Sequence, residues 1–373
     1  MRISIEPICQ LLSRSLFERD GHGEGAVTGI TLHGKRDHII CSLLSNNIEG
    51  PLEGFMSAIA QMREQKQSVD FKHILIATDF SAVSERALAY ALPIVRRYGS
   101  EVAIVHAIPP EPRESITWGP LPQELDHQRL EAEQEMRRLA EETRIKDLNP
   151  HLWLEKGRIW DVVSSIIQRE NSDLLVLGTH GRGGLKKLAL GSAAEEILRL
   201  AMCPVLTIGP NVPTADPTRT EFSAILFATD FGAASARAFP YALSLALACQ
   251  TKLILLHMVP PIPVVVTGRF DDSPGIYAAS ALTAWQVSTK GESIRRLRKL
   301  VPRDAKLTSQ PEYVVGLDFL PEGILGTAEA RKVDLIVMGA SRVHSARMVA
   351  HLPWTVTHEV ICKAKCPVLT VMG

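Results

Sequence analysis

Ile74 to Pro110 reads ILIATDFSAVSERALAYALPIVRRYGSEVAIVHAIPP, and Ile225 to Pro261 reads ILFATDFGAASARAFPYALSLALACQTKLILLHMVPP. The two stretches align without a gap at an offset of 151 residues, sharing ATDF, the S-x-R-A and Y-A-L positions, one histidine and a closing Pro-Pro. A second block repeats further on. Asp173-Leu-Leu-Val-Leu-Gly178 matches Asp334-Leu-Ile-Val-Met-Gly339, and Cys203-Pro-Val-Leu-Thr matches Cys366-Pro-Val-Leu-Thr. An internal repeat of this length means two copies of one domain, near residues 71–210 and 222–373. The join between them, Gly209-Pro-Asn-Val-Pro-Thr-Ala-Asp-Pro-Thr, is rich in Pro and polar residues and reads as a linker over 211–221.

Each copy alternates short apolar runs with amphipathic stretches. In copy one, His73–Thr78, Val102–Ala107, His151–Glu155, Leu174–Leu177 and Pro204–Ile208 read as strands. Between them, Ser81–Tyr98, Gln123–Ile145, Asp161–Glu170 and Ser192–Ala201 read as helices, the first with Ala87, Tyr90, Ala91, Ile94 and Val95 on one face. This βαβαβαβαβ order predicts the α/β class: two tandem doubly wound domains, each a five-stranded parallel sheet with helices on both faces. Ligands of such sheets bind beyond the carboxyl ends of the strands, at the switch point. Ala77-Thr78-Asp79 and the chain from Leu177-Gly178 onward are expected there.

After the fourth strand comes Gly178-Thr-His-Gly181-Arg-Gly-Gly-Leu-Lys-Lys-Leu-Ala-Leu-Gly191-Ser192, a G-x2-G-x9-G-S spacing. Glycines let backbone N–H groups approach phosphate oxygens. Ser192 is expected to cap the following helix, whose free N–H groups favour anions, and Arg182, Lys186 and Lys187 add positive charge. The alternative is a surface loop with a serine cap and no ligand. The spacing is neither a Walker A loop nor a dinucleotide fingerprint opening the first helix.

These motifs (I-L-x-A-T-D-F with its S-x-R-A helix, V-H-A-I-P, D-L-L-V-L-G-T-H-G, G-S and C-P-V-L-T) resemble those of the universal stress protein family. The resemblance covers both copies. It implies a fold of the adenine nucleotide alpha hydrolase type and, for copy one, the subclass that binds ATP through G-x2-G-x9-G-(S/T). Carried over residue by residue, it places Gly178, Gly181, Gly191 and Ser192 on the phosphates and ribose. Ala77, Thr78 and Asp79 lie against the nucleoside, Leu177 beside the first glycine, Ala107 facing the adenine, and Ala193 offers a helix amide. Asp79 contacts the ribose or a Mg2+ ion, or else caps the next helix. Single-domain members pair as two chains, so the resemblance implies pairing of the two copies within this chain, with a homodimer as a further assembly.

Copy two departs from the pattern. In Gly339-Ala-Ser-Arg342-Val-His-Ser-Ala-Arg347-Met-Val-Ala-His-Leu352-Pro-Trp354-Thr355 only the first glycine survives. Arg342 takes the second position, and Trp354 or Leu352 the third, depending on the end from which the loop is aligned. A degenerate domain that supports pairing is expected, with an anion held by Arg342 and Arg347 as the alternative. Asp230 and Thr229 persist.

Other residues carry weaker signals. His106 and His257 recur in both copies, which points to a structural role. Cys362-x3-Cys366 with His358 resembles a metal spacing, but Cys366 repeats as Cys203 without such neighbours, so a structural position is expected and no metal site. Gln123–Arg144 reads as a solvated, charge-paired helix face.

The chain has 373 residues, about two and a half domains at roughly 150 each. Lys+Arg and Asp+Glu are each 41, so the formal charge is zero, which argues against a nucleic-acid binder or a polybasic membrane anchor. No apolar run reaches about 18 residues. Six irregular cysteines and no signal-like start fit a cytoplasmic protein. The remaining half domain is residues 1–70, expected to be a poorly ordered extension with one helix near Leu52–Glu64; Met62 is a candidate start. Three functions compete: ATP-dependent binding and regulation in stress response, slow ATP hydrolysis or phosphotransfer, and a scaffold that binds no nucleotide. Lacking a positioned general base, the sequence favours a non-enzymatic protein.

Overall fold

The computed structural model describes residues 69–110, 122–142, 145–179, 190–215, 222–259, 274–341 and 353–373. The N-terminal extension, with its expected helix and candidate start, lies outside them. In copy one the strands are β1 (His73–Ala77), β2 (Glu101–Ile108), β3 (His151–Lys156), β4 (Leu174–Gly178) and β5 (Val205–Ile208). Its helices are α1 (Ala82–Tyr98), α2 (Pro122–Glu141), α3 (Ile159–Arg169) and α4 (Ser192–Leu200). Copy two repeats the order: β6 (Ala224–Ala228), α5 (Ala233–Ala248), β7 (Lys252–Val259), α6 (Pro274–Leu300), β8 (Glu312–Leu317), α7 (Leu320–Ala330), β9 (Leu335–Ala340), α8 (Pro353–Lys363) and β10 (Val368–Met372).

All ten strands form one sheet in the order β3-β2-β1-β4-β5-β10-β9-β6-β7-β8. Pairing is parallel inside each copy. Only β5 and β10 run antiparallel, with Val205 opposite Thr370, Leu206 opposite Leu369 and Thr207 opposite Val368. Counted from the repeated Cys-Pro, these are the same three positions of each copy. Leu206 and Leu369 therefore straddle a pseudo-two-fold axis, and the seam is isologous in the manner of a symmetric dimer.

Side chains alternate across the pleat. Ile74, Ile76, Leu174 and Val176 enter one core, and Leu75, Leu175 and Leu177 the other. Both cores continue across the seam into copy two. On one face Phe71 packs edge-on to Tyr98 at 5.3 Å and beside Tyr241 at 5.9 Å, while Ser244 donates to the Val69 carbonyl at 2.6 Å.

Helix ends follow local chemistry. Ser81 caps α1 by accepting from the Ser84 N–H, and Gly99, at φ 64°, closes its far end. The helix expected over Gln123–Ile145 stops at Glu141 instead. A 3-10 turn at Lys146–Leu148 follows, because the chain turns to bury Ile145 completely. The stretch read as a linker begins packed rather than free: Val212 is 2% exposed, and Asn211 donates to the Cys362 carbonyl at 3.1 Å. Among the described residues no helix is long and apolar enough to cross a membrane.

Candidate functional site

The switch point of copy one lies between β1 and β4, whose following helices leave on opposite faces. Nine of the ten expected site residues meet at its carboxyl edge. Ala77 pairs with Leu177 in the ladder, and the Thr78 N–H reaches the Val105 carbonyl at 2.9 Å, two residues before Ala107. Gly191 closes the loop that opens at Gly178: its N–H donates to the Thr179 carbonyl at 2.9 Å. Thr179 is fully buried, its N–H on the Ile208 carbonyl at 3.0 Å, so the base of the loop is anchored to β5. Ser192 and Ala193 open α4 directly after it. Gly181, with Arg182, Lys186 and Lys187, falls outside the described residues.

The structure corrects the expected cap of α4. Gly191, not Ser192, is the cap residue, at φ −63° and ψ 144°. Ser192 already has helical geometry, is exposed, and makes no cap bond. The first turn of α4 thus presents backbone N–H groups that no side chain caps, beside the strand ends. Leu177 stands directly before Gly178 at the end of β4. It is 3% exposed and belongs to the core on the α4 face, so only its backbone borders the crevice. Ala77 and Ala107 pack half-buried on that same face and keep the edge shallow.

The turn after β1 is built by short side-chain bonds. Thr78 Oγ1 accepts from the Phe80 N–H at 3.0 Å, and Asp79 Oδ1 accepts from the Ser81 N–H at 3.1 Å. Asp79 therefore organises the start of α1, the role weighed against ligand contact. Phe80 sits at φ 59°, an uncommon conformation for a bulky residue. Its ring stacks on His106 at 4.5 Å, and His106 Nδ1 donates to the Thr78 carbonyl at 2.8 Å. Copy two repeats every element of this device: Phe231 at φ 60°, a 4.5 Å stack on His257, and His257 Nδ1 on the Thr229 carbonyl at 2.8 Å. Burial holds the His257 imidazole below its ordinary pKa, favouring the neutral ring that donates this bond. A device present in both copies belongs to the fold, and the strained phenylalanine of ATDF is the signal that sequence reading passed over.

Copy two differs where a ligand would lie. Its α8 begins at Pro353, which makes it two residues longer at the start than α4 when both are counted back from Cys-Pro. Trp354 is the second residue of that helix and not its cap. The counterpart of Ala107 is Met258, 5% exposed. Its thioether fills the space over Gly316, where a Cβ would stand 2.6 Å from Met258 Cε, and over Gly323, where a Cβ would collide with the same methyl. Copy one has Glu155 and Val162 at those two places, so a small-large-large set has become large-small-small.

The cysteines behave as core residues. Burial pushes Cys203 up to about 11 and Cys366 up to about 12. Among the described residues no group of three or more His, Cys, Asp or Glu is arranged to hold a metal ion.

Against known proteins, the sequence model of the universal stress protein family matches residues 70–209 and 221–372. A universal stress protein of Methanocaldococcus jannaschii is 30% identical over 142 residues, covering 37% of this chain and 82% of its own. One from Thermus aquaticus is 33% identical over 139 residues, covering 37% of this chain and 98% of its own. The crystal structure of a universal stress protein from Archaeoglobus fulgidus, at 18% identity, covers 80% of this chain and 98% of its own with a TM-score of 0.51, a likeness of fold. Two matched segments, joined through one sheet, establish that this chain belongs to the universal stress protein family and carries its domain twice.

Proposed function

We propose that copy one binds ATP and that the protein acts in stress response through nucleotide-dependent binding, with copy two as its built-in partner in the cytoplasm. The observation that carries this reading is the side-chain-free cap of α4 beside the β1–β4 switch point. There Gly178 and Gly191, the first and last glycines of the spacing, meet uncapped helix N–H groups, an arrangement suited to phosphate oxygens. In this assignment Gly178, Gly181 and Gly191 let the backbone close on the phosphates, and the amides of Ser192 and Ala193 donate to them. The Ser192 hydroxyl is exposed and available to the same oxygens. Ala77, Thr78 and Ala107 border the nucleoside. Asp79 reaches the ribose or a Mg2+ ion from the turn it organises.

ATP would bring its triphosphate charge and base to the crevice, and the chain's part is to bind and orient them. The reading is binding rather than turnover, because His106, beside the turn, has its Nδ1 committed to the Thr78 carbonyl. Copy two has Met258 in the place assigned to the base and has lost two of the three glycines, which supports one nucleotide per chain.

The test is mass identification of nucleotide released from the purified full-length protein, with multiple-turnover phosphate release measured beside it. An adenine nucleotide is expected, together with a release rate in Mg2+ equal to that of Asp79→Ala. Release well above that variant would favour the hydrolase reading. A protein that carries no nucleotide and binds no added ATP would favour the scaffold.

A further inference from the structure

The formal charge of zero averages over two separated surfaces. One face of the sheet is covered by four helices, in the order α2, α1, α5, α6. The outer two mark its ends: α2 rests on β2 and β3, and α6 on β7 and β8. Over 127–142, α2 and its end hold five glutamates against three arginines. Over 285–306, α6 and the turn after it hold seven Lys and Arg against two acids. One end of the face is therefore acidic and the other basic.

The helices do not cancel these charges themselves. On α2, Arg129 is matched to Glu133 at 3.0 Å and Arg138 to Glu135 at 3.6 Å, while Glu141 stays exposed. On α6, Glu292 takes both Arg295 and Arg296, at 2.6 and 3.3 Å, and the Arg298 guanidinium lies over the Tyr313 ring. Lys290, Lys299, Arg303 and Lys306 are exposed and have no acidic partner among the described residues. The helix dipole accounts for Arg298 and Lys299 in the last turn of α6. It does not account for Lys290, or for Arg303 and Lys306 beyond the helix. Each end helix also leaves one large apolar side chain in water: Leu130 is 54% exposed on α2 and Val287 68% on α6. An exposed apolar side chain within a charged rim is the composition of an interface.

We propose that this face pairs with the same face of a second copy of the chain. A two-fold axis lying in the face, along the strands, sets α2 of each copy over α6 of the other. Acid then meets base at both ends, and the contact closes on itself. An axis across the strands would set α2 on α2 and α6 on α6, with like charges opposed. The charge pattern thus selects one dimer. The β5–β10 seam is used up inside the chain, so this pairing occupies a different surface.

The experiment is sedimentation velocity on the full chain, over a concentration series, in about 0.05 M and about 0.5 M NaCl. Wild type is compared with Glu131→Lys plus Glu141→Lys on α2, and with Lys299→Glu plus Arg303→Glu on α6. All four side chains are exposed, and thermal melts followed by circular dichroism check that each variant keeps the fold. The wild type is expected as a two-chain species, its dissociation constant raised about ten-fold or more by the higher salt. Either variant alone opposes like charges and should dimerise about thirty-fold more weakly. Mixed in equal amounts, the two variants present base to acid at both ends and should form a heterodimer within about five-fold of wild-type affinity. A wild type that stays a single chain at low salt, a mass that grows past two chains, or a mixture no tighter than the variants alone would each overturn the proposal. A single chain that binds double-stranded DNA through Lys299 and Arg303 would overturn it too, and would give the basic end to nucleic acid.

Discussion

Gly178 and Gly339 occupy the same strand end, and a Cβ at either presses into the start of the next helix. At Gly178 it would lie 2.9 Å from Val83 Cγ1 and 3.1 Å from the Ser84 nitrogen; at Gly339 it would collide with the Ala234 carbonyl. The one motif glycine kept by both copies is thus required by packing, which is why it survives where the others are gone. The reverse exchange appears at Met258. Gly323→Val should cost about 1–3 kcal/mol, because the new side chain and the Met258 methyl claim one space. Adding Met258→Ala recreates copy one's own pair, Ala107 and Val162, and should recover at least about 1 kcal/mol relative to the sum of the single costs. Denaturant unfolding of the four proteins reads this cycle. Simple additivity would mean that Met258 does not fill the space left by the glycines.

At the scale of elements, α4 carries the claim. Its cap glycine offers no side-chain oxygen, so the first-turn amides remain for a ligand. Gly191→Asp would supply that oxygen from the protein. The backbone there, at φ −63°, suits any residue, and the nearest neighbour to a Cβ is the Thr179 carbonyl at 3.2 Å. The variant is expected to change unliganded stability by only about half a kcal/mol, and to abolish ATP binding, since the carboxylate occupies and repels the phosphate position. Thermal melts without nucleotide and ATP titration check the two halves. Undiminished ATP affinity would show that the α4 amides are not the phosphate site. The expected serine cap fell one residue out because G-S leaves two candidates for one cap, and the choice depends on where the loop closes, which Thr179 decides from β5. Gln123–Ile145 ended early for a similar reason: the burial of Ile145 is a tertiary demand that helical periodicity does not carry.

Across the whole molecule, the repeat at an offset of 151 residues made the architecture legible, since two gapless copies of a βαβ pattern admit few other folds. The glycine spacing likewise predicts Gly178, Gly191, Ser192 and Ala193 at one edge, the carboxyl edge at which they stand. What the chain order did not reveal lies across the seam. The registry of Leu206 on Leu369 and the two cores shared by both copies join residues far apart in the chain. The exchange of Ala107 for Met258 was visible as letters, but its meaning required Gly316 and Gly323 beside it. The molecule is a pseudo-symmetric frame with one crevice proposed to hold ATP and one filled by Met258. The most direct test is equilibrium titration of MgATP into the full chain and into Gly181→Arg, which installs copy two's own residue in copy one's loop. The account predicts one ATP per wild-type chain and a large loss of affinity in Gly181→Arg; two sites per chain, or equal affinity in the two proteins, would contradict it.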